Sequence, residues 1–190
     1  MSRASKKSGR RVKPELLAPA GNLEKLKYAL VYGADAVYCG LPDFSLRAQT
    51  GFDFSSLAAG IKFAQQRDKK IYVTVNIFVH NRQIEALPAH LKRLKKIAPD
   101  AVIVSDPGVL SLVKKIMPRV KIYLSTQANT LNYEAVKFWQ QQGVARIILG
   151  REISLADIKQ IRRQAPKMEL EVFVHGAMCV SFSGRCLLSS

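Results

Sequence analysis

Seven short apolar runs recur along the chain, and the residues between them repeat on a helical period. Glu15–Ala18, Ala36–Cys39, Lys70–Val75, Ala101–Val104, Lys121–Leu124, Arg146–Leu149 and Glu169–Val174 read as strands, and each but the last is followed by a helical pattern. Strands of near-continuous Val, Ile and Leu are buried on both faces, which is the mark of a parallel sheet covered by helices. A strand–helix unit recurring every 20 to 35 residues or so is a βα repeat. The two folds that fit are a barrel of eight βα units and an open doubly wound sheet. No G-x-G-x-x-G follows the first strand, so the doubly wound reading lacks its usual phosphate-binding turn. The expected class is therefore α/β, a TIM-type parallel (β/α) barrel, incomplete with about seven of its eight strands. A barrel short of one strand leaves two open edges, so the chain is expected to be a fragment of a longer one.

Helix signals support the repeat. Asn22 is placed to cap a helix carrying Leu23, Leu26, Ala29 and Leu30 on one face. Helices are expected over about Leu57–Arg67, Ile84–Ile97, Pro107–Ile116, Asn132–Gln142 and Leu155–Gln164. Leu87, Leu91 and Leu94 form one face of the second of these, with Lys92, Arg93, Lys95 and Lys96 around it. Pro107 suits a first turn, and Ser154 with Asp157 three residues on suggests a capping box.

Charge sets the class of partner. The net charge is +16. Arg3, Lys6, Lys7, Arg10, Arg11 and Lys13 account for six, so +10 remains on the rest. A phosphate-rich partner fits such an excess, because each neutralised phosphate releases a counterion. The alternative is a solvated basic surface. Residues 1–13 read as a disordered basic tail, an RNA-binding arm or a transit segment, with 14–190 as the barrel-like domain. No apolar run reaches eighteen residues, so no membrane span is expected, and the start carries no secretory signal. Three cysteines, Cys39, Cys179 and Cys186, do not make a disulfide framework and suit a reducing, cytoplasmic setting.

In βα barrels the chemistry sits on the loops after the strands' C-terminal ends. Those loops hold Asn22, Arg47, Asn76, His80, Ser105, Asp106, Ser125, Gln127, Asn129, Arg151, Glu152, His175, Cys179, Ser183, Arg185 and Cys186. Asn22 and Asp106 are equally explained as helix caps. Cys179 and Cys186 flank Gly184, and thiolates suit zinc or an iron–sulfur cluster. Cys39 is a third ligand if the barrel brings it near; two buried thiols with no ligand role are the alternative. His175 and Cys179 also read as a base and its nucleophile. H-E-x-x-H and G-x-S-x-G are absent, so the common zinc and serine hydrolase motifs are missing.

Glu171-Val172-Phe173-Val174-His175-Gly176-Ala177-Met178-Cys179, followed by Ser183-Gly184-Arg185-Cys186-Leu187-Leu188-Ser189, resembles the signature of the collagenase-like peptidase U family. Pro14-Glu15-Leu16-Leu17-Ala18-Pro19-Ala20-Gly21, Gly33–Tyr38, Ser105–Gly108, Ser125–Asn129 and Val136–Gln141 agree with it, so the resemblance runs over roughly Pro14–Ser190. It is strongest toward the tRNA-hydroxylating members. The resemblance implies a barrel-like N-terminal domain and oxygen-independent conversion of the wobble uridine of tRNA to 5-hydroxyuridine. Prephenate is the implied co-substrate, and a 4Fe-4S cluster held by four cysteines the cofactor. Cys179 and Cys186 match the first two ligands; the second pair is expected downstream of this chain. Cys39 is not carried over. The implied catalytic residues are Arg151, Glu152 and Arg47, with Arg151 or Arg47 pairing a prephenate carboxylate or a tRNA phosphate. The implied substrate-binding residues are Gln127, Asn129, His175 and Arg185. The alternatives are a peptidase, for which no catalytic residues map here, and hydroxylation of another substrate such as a ubiquinone precursor.

Overall fold

The computed structural model describes residues 13–46, 51–176 and 180–186. Its strands are Leu17–Pro19 (β1), Ala36–Gly40 (β2), Lys70–Val75 (β3), Ala101–Val104 (β4), Lys121–Leu124 (β5), Arg146–Ile148 (β6) and Glu169–Glu171 (β7). The helices between them are Leu23–Val31 (α1), Phe54–Gln65 (α2), Asn81–Ile97 (α3), Pro107–Ile116 (α4), Tyr133–Gln141 (α5) and Leu155–Gln164 (α6). All seven strands are parallel and lie in sequence order, β1 to β7. They form a curled half-barrel with the helices outside it, as the repeat predicts.

The period-two alternation of the strands sorts the core into two layers. Val37, Ile71, Val73, Val75, Val102, Val104, Leu124 and Ile147 point outward and pack against the helices, together with Leu26, Leu57, Leu87, Leu91 and Val113. The intervening Ala36, Tyr72, Ala101, Ile103, Tyr123 and Ile148 point into the curl and form a second cluster. Cys39 lies in the helix-facing layer, fully buried, and so points away from the barrel interior.

Capping fixes where the helices start. Asn22 Oδ1 accepts from Lys25 N–H at 2.8 Å, Asp106 Oδ1 from Val109 N–H at 2.9 Å, and Asn132 Oδ1 from Ala135 N–H at 2.9 Å. Ser154 and Asp157 make the reciprocal capping box. Each such cap stabilises its helix by about 1 kcal/mol. Asn22 and Asp106 are thus caps. The expected Leu57–Arg67 helix starts three residues earlier because Asp53 caps it, accepting from Ser56 N–H at 2.7 Å. The last strand ends at Glu171 rather than Val174, because its ladder partner β6 ends at Ile148, opposite Glu171.

The inward side of β6 carries Arg146, whose side chain is 11% exposed. Its Nη1 meets Glu15 at 2.7 Å and Glu171 at 3.2 Å, and its Nη2 meets Glu169 at 2.9 Å. Its guanidinium also sits 4.4 Å from the Tyr123 ring centre. One cation thus ties the segment before β1 to β7 across the interior. Burial pushes Glu15 up, but hydrogen bonds from Lys70, Tyr72 and Arg146 outweigh it and hold Glu15 down at about 2. In Glu171 burial wins over Arg146, and its carboxyl is raised.

Candidate active site

A parallel sheet puts every strand's C-terminal end on one side, so the loops after β2, β3, β5, β6 and β7 converge at the barrel mouth. They enclose a cleft of about 140 Å³ lined by Tyr38, Ser45, Thr74, Asn76, Ser125, Gln127, Arg151, Glu171 and Phe173. Ligand pockets usually exceed about 300 Å³. A cleft this small, walled by polar groups and by Leu46, Ile103 and Ile148, suits part of a ligand, such as one ring or one carboxylate.

Close packing builds its walls. Gly40, at the end of β2, has no side chain, and a Cβ there would overlap Ser45 and Thr74. Ser45 and Thr74 hydroxyls therefore meet at 2.8 Å, and Thr74 Oγ1 donates to the Cys39 carbonyl at 3.1 Å. Ser105 Oγ donates to the Asn76 carbonyl at 3.2 Å, and Asn76 Nδ2 lies 3.5 Å from Ser125 Oγ.

Arg151 follows β6 and reaches into the cleft. Its guanidinium stacks on the Phe173 ring at 3.9 Å. No carboxylate lies within ion-pairing distance of it among the described residues. A stacked guanidinium keeps its edge N–H groups available, and that edge suits a carboxylate or phosphate. Glu171 lies at the floor of the same cleft, 18% exposed, between the ligand space and Arg146. Of the three carboxylates on this guanidinium, Glu15 is lowered and Glu171 raised, a divergence of the kind found at proton-handling sites.

The segment bearing Cys186 docks against this mouth. Glu152 Oε1 accepts from Ser183 N–H at 2.6 Å, and Arg151 N–H donates to Ser183 Oγ at 3.4 Å. Burial opposes ionisation of Glu152, but the Ser183 hydrogen bonds prevail and its carboxyl is lowered. Gly184 adopts φ +77°, and a Cβ on it would overlap the Gln127 carbonyl. Backbone therefore lies directly on backbone there, which only glycine permits.

The expected site residues fare differently. Gln127, Arg151 and the Ser183–Cys186 turn come together. Glu152 serves to hold Ser183. Asn129 does not line the cleft; it is in a left-handed conformation (φ +47°), with Oδ1 buried and without a hydrogen bond. His175 and Arg185 are exposed and do not line the cleft. Cys186 is half-buried. Cys39 is no third thiolate here: burial pushes its thiol up to about 12, and it faces the helices. Arg47, Cys179 and residues 1–12 lie outside the described residues. Among the described residues no three His, Cys, Asp or Glu side chains group to hold a metal ion, and Cys186 alone offers a thiolate at the mouth, against the four that a cluster takes. No helix among them is long and apolar enough to cross a membrane. Sequence reasoning missed Glu171, Phe173 and Tyr38 as cleft residues. Alternation was the available signal: Tyr38 and Glu171 occupy inward positions on their strands.

The family model described as peptidase family U32 matches residues 21–190. The chain is 52% identical over 178 residues to tRNA hydroxylation protein P of Escherichia coli, covering 93% of this chain and 39% of that protein. It is 44% identical over 187 residues to tRNA hydroxylation protein P1 of Bacillus subtilis, covering 96% of this chain and 44% of that one. The chain thus spans less than half the length of these relatives. The solved structure of a U32 peptidase superposes with a TM-score of 0.68 at 13% identity, covering 89% of this chain and 73% of that one.

Proposed function

The chain belongs to peptidase family U32, and from that membership we propose that it is the barrel part of an RNA-modifying protein that hydroxylates tRNA. The target is the wobble uridine, converted to 5-hydroxyuridine. The similarity to tRNA hydroxylation proteins supports the substrate class. The observation that carries the site assignment is Arg151, stacked on Phe173 with no carboxylate partner among the described residues. A guanidinium with no carboxylate partner among the described residues, in a small cleft of mixed lining, suits a carboxylate, as prephenate would present, and Phe173 offers a face for a ring. Gln127 and Asn76 supply amide donors and acceptors to orient the ligand. Glu171, its carboxyl raised by burial, lines the same cleft. Replacing C5–H of uracil by C5–OH removes two electrons, so the reaction needs a redox partner. An iron–sulfur cluster bound partly by Cys179 and Cys186 would supply that chemistry, its other thiolates coming from outside these 190 residues.

The peptidase reading needs a nucleophile beside a base, and exposed His175 does not line the cleft. The deciding experiment compares tRNA nucleosides by mass spectrometry in a deletion strain and in strains restored with the parent or Arg151→Gln. Loss of 5-hydroxyuridine on deletion, rescue by the parent and failure of rescue by Arg151→Gln are expected. Unchanged nucleoside levels on deletion would overturn the function, and full rescue by Arg151→Gln would overturn the site.

A further inference from the structure

The excess positive charge of the folded domain is concentrated away from the mouth. In a parallel βα sheet every helix ends at the opposite, strand-N-terminal side, here called the floor. The last turns of α3, α4 and α6 carry Lys95 and Lys96, Lys114 and Lys115, and Arg162 and Arg163. The loops and strand starts that follow add Arg119, Lys121 and Lys167. At the mouth the balance reverses: acids such as Asp43, Asp53, Asp106, Glu152 and Asp157 outnumber the described bases there.

Helix dipoles account for part of this, since cations favour helix C-termini by about 0.3–1 kcal/mol each. They do not require the excess left unneutralised. Lys69 and Lys70 pair with Asp35 and Glu15. Lys95, Lys96, Lys115, Arg119 and Lys121 have no carboxylate partner among the described residues. These five lie on neighbouring elements, because α3 packs on α4 and β5 pairs with β4. Further round the floor, α1 ends in Tyr28 and Tyr32, 57% and 83% exposed, with ring centres 6.2 Å apart. α2 lies between these rings and the patch; exposed tyrosine rings of this kind are stacking platforms for unpaired bases.

We propose that the floor formed by the ends of α3 and α4 binds the sugar–phosphate backbone of RNA, while the mouth takes only the small reacting groups. This rests on the RNA-modification reading above. Its consequence is that affinity and chemistry sit on opposite ends of the barrel and can be separated by mutation.

The test measures binding of fluorescein-labelled unfractionated tRNA to the intact chain by anisotropy, from 50 to 300 mM KCl. The floor variants are Lys115→Gln/Arg119→Gln/Lys121→Gln and Lys95→Gln/Lys96→Gln. The mouth control is Lys25→Gln/Arg82→Gln. Each lost phosphate contact lowers the slope of log K against log salt by about 0.7–0.9. The triple variant should therefore lose about 2 units of slope and at least about tenfold in affinity at 100 mM KCl, with an unchanged melting temperature. The mouth control should stay within about twofold. Equal losses for floor and mouth variants, or none for either floor variant, would overturn the proposal, as would preferential binding to phosphatidylglycerol vesicles that competes with tRNA. Floor-dependent tRNA binding by a protein whose deletion leaves 5-hydroxyuridine unchanged would sink the hydroxylation reading and leave the floor intact. Full modification with floor variants that bind like the parent would do the reverse.

Discussion

Replacing Arg146 by Met should destabilise the domain by about 3 kcal/mol at neutral pH. The side chain is 11% exposed and faces Glu15, Glu169 and Glu171. Glu169 is half in solvent and contributes little. Glu15 and Glu171, 20% and 18% exposed, would be left as buried carboxylates without their guanidinium. Removing one partner of a buried ion pair costs about 3–5 kcal/mol; Lys70 and Tyr72 still hold Glu15, so the lower end applies. In a chain of this size that is a fall of roughly 6–12 °C in melting temperature. The pH dependence follows from the shifts. Glu15 is held at about 2 in the parent, so its stabilisation is present above its ordinary 4.5 and is lost as pH falls toward 2. Without Arg146, burial acts unopposed on Glu171 while Lys70 and Tyr72 still lower Glu15, so the variant recovers as pH falls and Glu171 protonates. Urea denaturation at pH 5 and pH 8 should therefore show the larger parent–variant gap at pH 8. Arg146→Met/Glu171→Gln should regain part of the loss, because one uncompensated charge is gone. A loss under about 1 kcal/mol, or an equal gap at both pH values, would refute the clamp.

Three further outcomes are expected. Burial among Phe44 and Phe54 pushes His90 down to about 4, so the parent should lose up to about 3 kcal/mol as pH falls from 6.5 to 4, and His90→Leu should flatten that slope in denaturation curves; an identical slope refutes it. Gly184→Ala forces a left-handed residue and a clash with the Gln127 carbonyl, at a cost of roughly 1–2 kcal/mol before the overlap is counted. The segment should undock, which alkylation of Cys186 reads as a rate increase with little change in global melting; an unchanged rate counts against docking. Cys39, buried with its thiol near 12, should resist iodoacetamide until urea unfolds the chain, and prompt labelling in the folded state would contradict its placement.

The candidate site was half legible. Arg151 and Gln127 follow strands, and a residue after a barrel strand points to the mouth whatever else surrounds it. Glu171 carried no such mark. Its role depends on Arg146, which reaches Glu15 across 131 residues of sequence, and on a cleft wall shared with Phe173. Glu152 looked chemical because of its loop, yet its carboxylate is engaged by Ser183 N–H.

The amino-acid sequence alone determined the elements and their order. Hydrophobic period, caps such as Asn22, Asp106 and Ser154, and parallel-sheet strands are local properties, decided within a few residues by backbone hydrogen bonding and side-chain entropy. It also determined the size of the positive charge. Only the tertiary structure decided where that charge lies and which groups meet. Parallel strands send all helix C-termini to one floor, so Lys95, Lys115 and Lys121, distant in sequence, share a face opposite the cleft. The curl of the sheet brings Glu15, Arg146 and Glu171 together. Such contacts follow from chain closure, to which no single segment of sequence refers.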